Sequence, residues 1–393
     1  MEHRKTSSRR GNDAATTAPR ACGKGPTGER GAFGNDARTS WTLPSRYYSD
    51  AGIHEKELRT IFQRSWSYVG HETDLPSPGS YLTDDVAHQP ILIVRDRDNE
   101  VRAFYNVCQH RGHLLLKGRG TVKAGITCPY HAWTYALDGT LRNAPMTGDV
   151  AGFTMHEFGL RSIPIALVAG LIFVNLDKIA RPFAEEVPGF EQLLRDALPK
   201  LPEFMATERL EFEIAANWKI VIDNFSEGYH IPVAHPTLAK LHGRRTATAA
   251  VGEKFSFFRG VGRTSFDEFE VKPDEPYLTW WLWPNLCMLS LPGSEHLIVL
   301  RVTPDGPARC RERAEIYAPP GDRPKNLAIV RRLFAEMFNR EDVAIVESVQ
   351  RGISSLGYDQ SRYIVDEKDG WYSESALHRF HKQLLRAIED QID

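Results

Sequence analysis

The spacing of hydrophobic positions changes twice along this chain. Residues 1–40 carry hardly any large apolar side chains and are rich in Gly, Arg, Ser and Thr. Such a stretch cannot bury enough surface to offset its ordering entropy, so a disordered N-terminal tail is expected over 1–40. Over residues 41–66 the pattern turns globular. Ile53, Leu58, Ile61 and Phe62 recur at helical spacing behind Asp50, which predicts a helical lead-in packed on the C-terminal part. Residues 67–178 read as short strands punctuated by turns. The runs ILIVR and VRAFYNV flank the polar turn Asp96-Arg97-Asp98-Asn99, and LIFVNLD closes this all-β stretch. Beyond 179 the period changes again. FAEEVPGFEQLLRDAL reads as helix, RLEFEIAANWKIVIDN sets a strand beside a helix, 254–317 is rich in β-branched and aromatic residues, and 323–347 and 373–389 are helical. The expected fold class is α+β, with an all-β domain over 67–178 and a mixed domain over 179–393.

Composition narrows the partners. With 393 residues two domains are natural, and a net charge of −2 gives no electrostatic case for nucleic acid or an anionic membrane. No apolar run is long enough to span a bilayer. The tail has no apolar signal core, and Glu2, Asp13, Glu29 and Asp36 argue against a transit peptide. Of five Cys, Cys22, Cys287 and Cys310 show no disulfide spacing, which favours a reducing compartment, the cytoplasm.

The remaining two Cys carry the chemistry. Cys108 and His110 form C-x-H in NVCQHRGH; Cys128 and His131 form C-x-x-H in ITCPYHAW, seventeen residues further on. Each loop offers one thiolate and one imidazole, the donor set of a [2Fe–2S] cluster in which two His replace two Cys on one iron. A structural zinc site is the alternative, but zinc knuckles usually pair like with like, and here each loop is mixed. Both loops fall inside the β-rich stretch, as hairpin tips. A second constellation runs from Asp223 through Glu227 to His230 and His235. The two His are five apart, with Pro232 between them to distort a helix, so both rings can reach one metal. Two His and a carboxylate make the facial triad of non-haem Fe(II) oxygenases.

From about Trp41 onward the sequence resembles the oxygenase (alpha) component of the Rieske non-haem iron oxygenases. The resemblance rests on the two Cys/His loops with Arg111-Gly112 and Pro129-Tyr130 beside them, on the NWK that precedes the second constellation, and on NREDVAIVESVQRG downstream. It implies a helix-grip catalytic domain, an antiparallel sheet wrapped around a long helix. It also implies Asp342 as the third iron ligand, with the adjacent Glu341 as the alternative, since neighbouring helix residues point about 100° apart. By the same resemblance Glu227 joins His230 to the His131 of a neighbouring subunit, and the chain forms a homotrimer.

Together the two centres imply O2 activation with two electrons from outside. No strand-linked dinucleotide fingerprint is present, so NAD(P)H would act through a separate reductase, directly or by way of a ferredoxin. The run YLTWWLWPNLCMLSLPGS alternates: Tyr277, Thr279, Trp281 and Trp283 on one side, Leu278, Trp280 and Leu282 on the other. Its Trp residues either fill the core or form a cage for a cation. Glu227 and the compact length resemble the glycine betaine, carnitine and stachydrine branch. Three readings follow: hydroxylation or N-demethylation of a small, quaternary ammonium substrate; an aromatic-ring-hydroxylating dioxygenase alpha subunit; and a non-enzymatic electron carrier or zinc protein.

Overall fold

The computed structural model describes residues 30–236, 238–239, 248–261, 275–321, 325–366 and 372–389. The N-terminal β unit stands on the strands Ser80–Val86, Gln89–Arg95 and Val101–Tyr105, which form a meander extended by Arg119–Thr121 at one edge and Ser162–Ile163 at the other. The turn expected after ILIVR is held by Asp96, whose carboxylate accepts the N–H groups of Asp98 and Glu100 at 2.9 Å each. A small sheet of Ile126–Thr127, Thr134–Tyr135 and Leu141–Asn143 lies against it. Leu92, Val94, Phe104, Trp133 and Tyr135 fill the space between, and the Cys108 and Cys128 side chains belong to the same core.

The C-terminal unit is a seven-stranded antiparallel sheet. Its order is Met205–Ile214, Cys310–Ala318, Leu297–Pro304, Leu286–Ser290, Pro276–Leu282, Phe255–Val261 and Thr248–Val251. Strands this apolar on both faces must be covered twice. One face meets the helices Trp218–Phe225, Asn339–Ile353 and Ser375–Glu389 through Ile298, Leu300, Ile316, Trp218, Val346 and Phe380. The other face, with Trp280, Met288 and Val299, packs on Tyr68, Phe173 and Phe190 from the strands Ser67–His71 and Leu171–Val174 and the helix Phe190–Ala197.

The lead-in is a helix, Ala51–Glu57, capped as expected by Asp50, whose Oδ1 accepts the Ile53 N–H at 2.9 Å. It continues as a wider π turn over Leu58–Phe62. Glu57 anchors it: both its oxygens are buried, one 2.6 Å from Lys219 Nζ and the other accepting the Trp218 indole N–H at 2.8 Å. FAEEVPGFEQLLRDAL forms two helices, Phe183–Glu186 and Phe190–Ala197, because Gly189 takes φ 84° between them. The downstream helical stretch is likewise divided, into Lys325–Arg332, a wider turn at Leu333–Phe338, and Asn339–Ile353.

Part of the stretch expected to be disordered is fixed in place. The backbone of Arg30 and Gly31 bonds to the Gln360 side chain, and Phe33 stacks on the His378 ring at 4.8 Å. Ser40 is buried. Residues 30–40 are therefore fixed against the C-terminal segment by one aromatic side chain and a few polar bonds, which averaged composition does not register. Residues 1–29, Cys22 included, lie outside the described residues.

A charged seam joins the two units. Asp84 receives Arg301 and Arg313, each at 2.7 Å, and Glu315 receives Arg209 at 3.0 Å, Arg119 at 3.2 Å and the Tyr68 hydroxyl at 2.6 Å. Arg313 holds Glu315 below the usual carboxylate range against the opposing effect of burial.

Candidate metal centres

The two Cys/His loops fold alike. In the first, the Cys108 N–H donates to the His113 carbonyl at 2.9 Å and the Gly112 N–H to the Cys108 carbonyl at 2.9 Å. In the second, Cys128 bonds to Trp133 at 2.8 Å and Ala132 to Cys128 at 3.0 Å in the same sense. Each loop therefore turns one thiol inward and one imidazole outward. Cys108 and Cys128 are buried, whereas His110 and His131 are exposed, their rings 4.6 Å apart. Gly112 and Ala132 both need positive φ, 72° and 59°, to close the turns. The Tyr135 hydroxyl lies 3.3 Å from Cys108 Sγ and accepts the Gln109 N–H at 2.9 Å. Slight burial and the nearby His131 and Arg111 lower the His110 pKa. Two buried sulfurs with two exposed nitrogens beside them fit a two-iron cluster, which the two thiolates and the two imidazoles would hold.

The second centre lies where the sheet meets its helices. The helix Trp218–Phe225 begins at Asn217, whose side chain accepts the Lys219 N–H. It ends before Glu227, and a short helix Ile231–Ala234 with Pro232 in its first turn carries the chain from His230 to His235. Asp342 approaches from the helix Asn339–Ile353. Ligand atoms of His230, His235 and Asp342 all lie within 4.8 Å of one another, and the three could hold one metal ion. Asp342 Oδ1 is 2.9 Å from His235 Nε2 and 3.8 Å from His230 Nε2. Each ring's Nδ1 meets a different carboxylate: Glu227 at 2.5 Å for His230, Glu341 at 2.6 Å for His235. Carboxylates in that position fix the imidazole tautomer and leave Nε2 free to ligate. Burial opposes the charged form of His235, but Asp342 and Glu341 outweigh it and raise its pKa.

A cavity of about 90 Å³ opens on this centre, lined by apolar side chains that include Val221, Leu289, Leu300 and Phe338. Of the alternating run, Tyr277 and Thr279 reach it. Trp280 is buried on the opposite face of the sheet against Phe257, and Trp283 packs on Phe380 and donates to Ser65 at 3.0 Å. Trp281 borders a smaller neighbouring cavity. The Trp residues therefore serve mainly as core. The sequence reading passed over Glu312 and Asn339, which also line the main cavity, and the pairing of Glu341 with His235. Glu312 had a signal, a lone acid in the inward alternation Cys310, Glu312, Ala314, Ile316.

An electron-transfer cluster joined to a two-His, one-carboxylate centre defines an iron-dependent oxygenase. Residues 65–154 match the Rieske [2Fe-2S] domain, and residues 201–390 match the ring hydroxylating alpha subunit (catalytic domain). The carnitine monooxygenase oxygenase subunit of Acinetobacter baumannii is 33% identical over 87% of this chain and 93% of its own length. The chloroplastic choline monooxygenase of Amaranthus tricolor is 28% identical over 90% of this chain and 79% of its own. The crystal structure of the quaternary ammonium Rieske monooxygenase CntA in complex with L-carnitine superposes with a TM-score of 0.83, at 31% identity, over 91% of this chain and 98% of that one. The chain belongs to the family of Rieske oxygenase alpha subunits. Its cofactors are a Rieske [2Fe–2S] cluster and a mononuclear iron, and it is an oxidoreductase that uses O2. The electron-carrier and zinc-protein readings are thereby set aside.

Proposed function

We propose that this chain is the oxygenase component of a quaternary ammonium monooxygenase. Cys108, His110, Cys128 and His131 hold the cluster; His230, His235 and Asp342 hold the mononuclear iron; 67–178 and 179–393 form the corresponding domains, with 41–66 as the lead-in. Electrons from NAD(P)H arrive through a separate reductase or ferredoxin. The iron centres, when bound, supply stored electrons and a site for O2. The substrate, O2, two electrons and two protons give water and an alcohol at a carbon bonded to nitrogen. The hydroxyl of that carbinol then loses its proton to solvent as the C–N bond breaks with its electron pair going to nitrogen, releasing an aldehyde and a tertiary amine.

Glu227 orients His230 through Nδ1 and offers its carboxylate to the exposed His131 of a neighbouring chain in a head-to-tail homotrimer. The buried thiols of Cys287 and Cys310 agree with a cytoplasmic setting, and no helix among the described residues is long and apolar enough to cross a membrane.

The observation that carries this reading is the cavity itself. Beyond Glu227 and Asp342, which belong to the iron site, its described lining includes the carboxylate of Glu312 and no Lys or Arg. Such a wall suits a cation and disfavours the flat neutral arene or the aromatic acid of a ring-hydroxylating dioxygenase. The relatives acting on carnitine and choline support the same choice. O2 consumption by the reductase-coupled protein, measured against L-carnitine, γ-butyrobetaine, choline, glycine betaine and a set of aromatic acids, tests it. Stimulation with release of a tertiary amine by at least one cation is expected; stimulation by the aromatic acids alone contradicts it.

A further inference from the structure

The cavity holds one charged side chain that the iron site does not use. Glu312 lies on the strand Cys310–Ala318, among helix-facing neighbours that are otherwise Cys310, Ala314, Ile316 and Ala318. Its cross-strand partners are Phe212 and Val302. It is 3% exposed, and its Oε1 is buried without a well-formed hydrogen bond, the Asn339 side chain on the same wall being the donor that acts on it. The Asn339 Nδ2 is buried too and has no well-formed acceptor of its own, so the two side chains meet only loosely. A neutral amide held that loosely leaves the negative charge uncompensated, and a buried charge facing a cavity calls for a counter-charge.

The other two carboxylates of the cavity are engaged. Glu227 meets His230 Nδ1, and Asp342 meets both Nε2 atoms. Glu312 forms no ion pair among the described residues, and no Lys or Arg is among the described side chains that line the cavity. Its carboxyl is pushed up to about 7, by burial first and by Asp342, against the hydrogen bond from Asn339 that draws it down. A carboxylate kept in an apolar wall without a cationic partner destabilises the empty protein, and a cation entering the cavity offsets that cost.

We propose that Glu312 is a substrate-binding residue, the counter-charge that admits a trimethylammonium group and rejects its neutral carbon isostere. The inference rests on the quaternary ammonium reading above and adds the residue that enforces it. The chemistry of the group matches the chemistry of the wall. A trimethylammonium cation has no N–H to donate, so it needs nearby charge and apolar contact rather than an array of acceptors. Glu312 supplies the charge, and Val302, Leu300 and Phe338 supply the contact. Trp280 and Trp283 are committed to the cores, and Trp281 borders the smaller neighbouring cavity, so no Trp among the described residues lines the main one.

The test is calorimetric titration of the iron- and cluster-loaded protein, as wild type, Glu312→Gln and Glu312→Asp. The probes are L-carnitine, γ-butyrobetaine and choline, with the neutral isostere of choline in which tert-butyl replaces trimethylammonium. The wild type should bind at least one cation and prefer it to the isostere. Glu312→Gln should weaken that cation by about 30-fold or more and lose most of the preference, while Glu312→Asp retains part of it. The Gln variant should keep its cluster spectrum and mononuclear iron and be at least as heat-stable as the wild type, because it removes a buried charge. A purely structural Glu312 would instead lower stability. Equal cation affinity in wild type and Glu312→Gln, or a fall in kcat with affinity unchanged, overturns the inference alone. Failure of the wild type to bind any of the cations overturns the quaternary ammonium reading and this inference with it.

Discussion

Asp342 Oδ1 lies 2.9 Å from His235 Nε2, on the opposite side of the ring from Glu341, which holds Nδ1 at 2.6 Å. Adjacent acids on one helix thus meet the same imidazole at its two nitrogens, which separates the proposed ligand from the residue that orients it. Asp342→Ala should lose the mononuclear iron and all turnover while the visible spectrum of the cluster persists. Glu341→Gln should keep the iron at saturation but weaken its affinity by roughly 10–100-fold. Iron content after dialysis against graded chelator checks both. Full iron in Asp342→Ala with none in Glu341→Gln would reverse the assignment.

Glu227 has one oxygen on His230 Nδ1 and also caps the backbone N–H groups of Tyr229 and His230. Glu227→Gln preserves the shape and removes the charge. Both metal centres should remain loaded, and the rate at which the reduced cluster is reoxidised in the presence of substrate and O2 should fall by about 100-fold or more. Stopped-flow absorbance of the cluster measures that rate directly, and a wild-type rate removes the bridging role.

Asp84 is the shared acceptor of Arg301 and Arg313 at the seam between the two units. Removing one partner of a buried charge network leaves the others uncompensated, so Asp84→Asn should destabilise the protein by about 3 kcal/mol. A lowered urea midpoint with cluster content per folded chain unchanged is the expected result. No shift in midpoint would mean the seam is solvated and contributes little.

His296 is fully buried, with Nε2 accepting the Leu291 N–H at 3.1 Å and Nδ1 donating to the Ser294 carbonyl at 2.9 Å. Burial lowers its pKa from 6.5 to about 4, partly opposed by the Ser294 carbonyl. Because the folded value lies below the unfolded one, its contribution to stability is complete above 6.5 and is lost as pH falls towards 4. Between neutral pH and about pH 5 the loss is roughly 2 kcal/mol. His296→Gln can keep both hydrogen bonds without titrating, so its stability should vary less with pH over that window. Equal slopes in urea titrations of the two proteins would contradict this.

The cluster loops and the pair His230 and His235 were legible in the sequence because their donors come from short segments at fixed spacing. Asp342 was legible only through its resemblance, since a ligand more than a hundred positions downstream leaves no local pattern. Glu312 shows the opposite limit. Its alternation with Cys310, Ala314 and Ile316 marked an inward-facing acid, but the cavity exists only once Met205–Ile214 and Leu297–Pro304 flank its strand. The fate of the Trp residues was hidden for the same reason. Alternation separated Trp280 from Trp281 and Trp283, and only the packing of the sheet between two layers decided what each side met. Residues 30–40 escaped because a few bonds to Gln360 outweigh an unfavourable average composition.

A single-turnover experiment tests the central claim most directly. Reductively loaded protein, freed of reductant, is mixed with O2 and the best-binding quaternary ammonium compound, and product and cluster oxidation are followed together. Product should form in step with oxidation of the histidine-ligated cluster, without any reductase present. Product formation while the cluster stays reduced, or cluster oxidation that leaves the substrate intact, would contradict it.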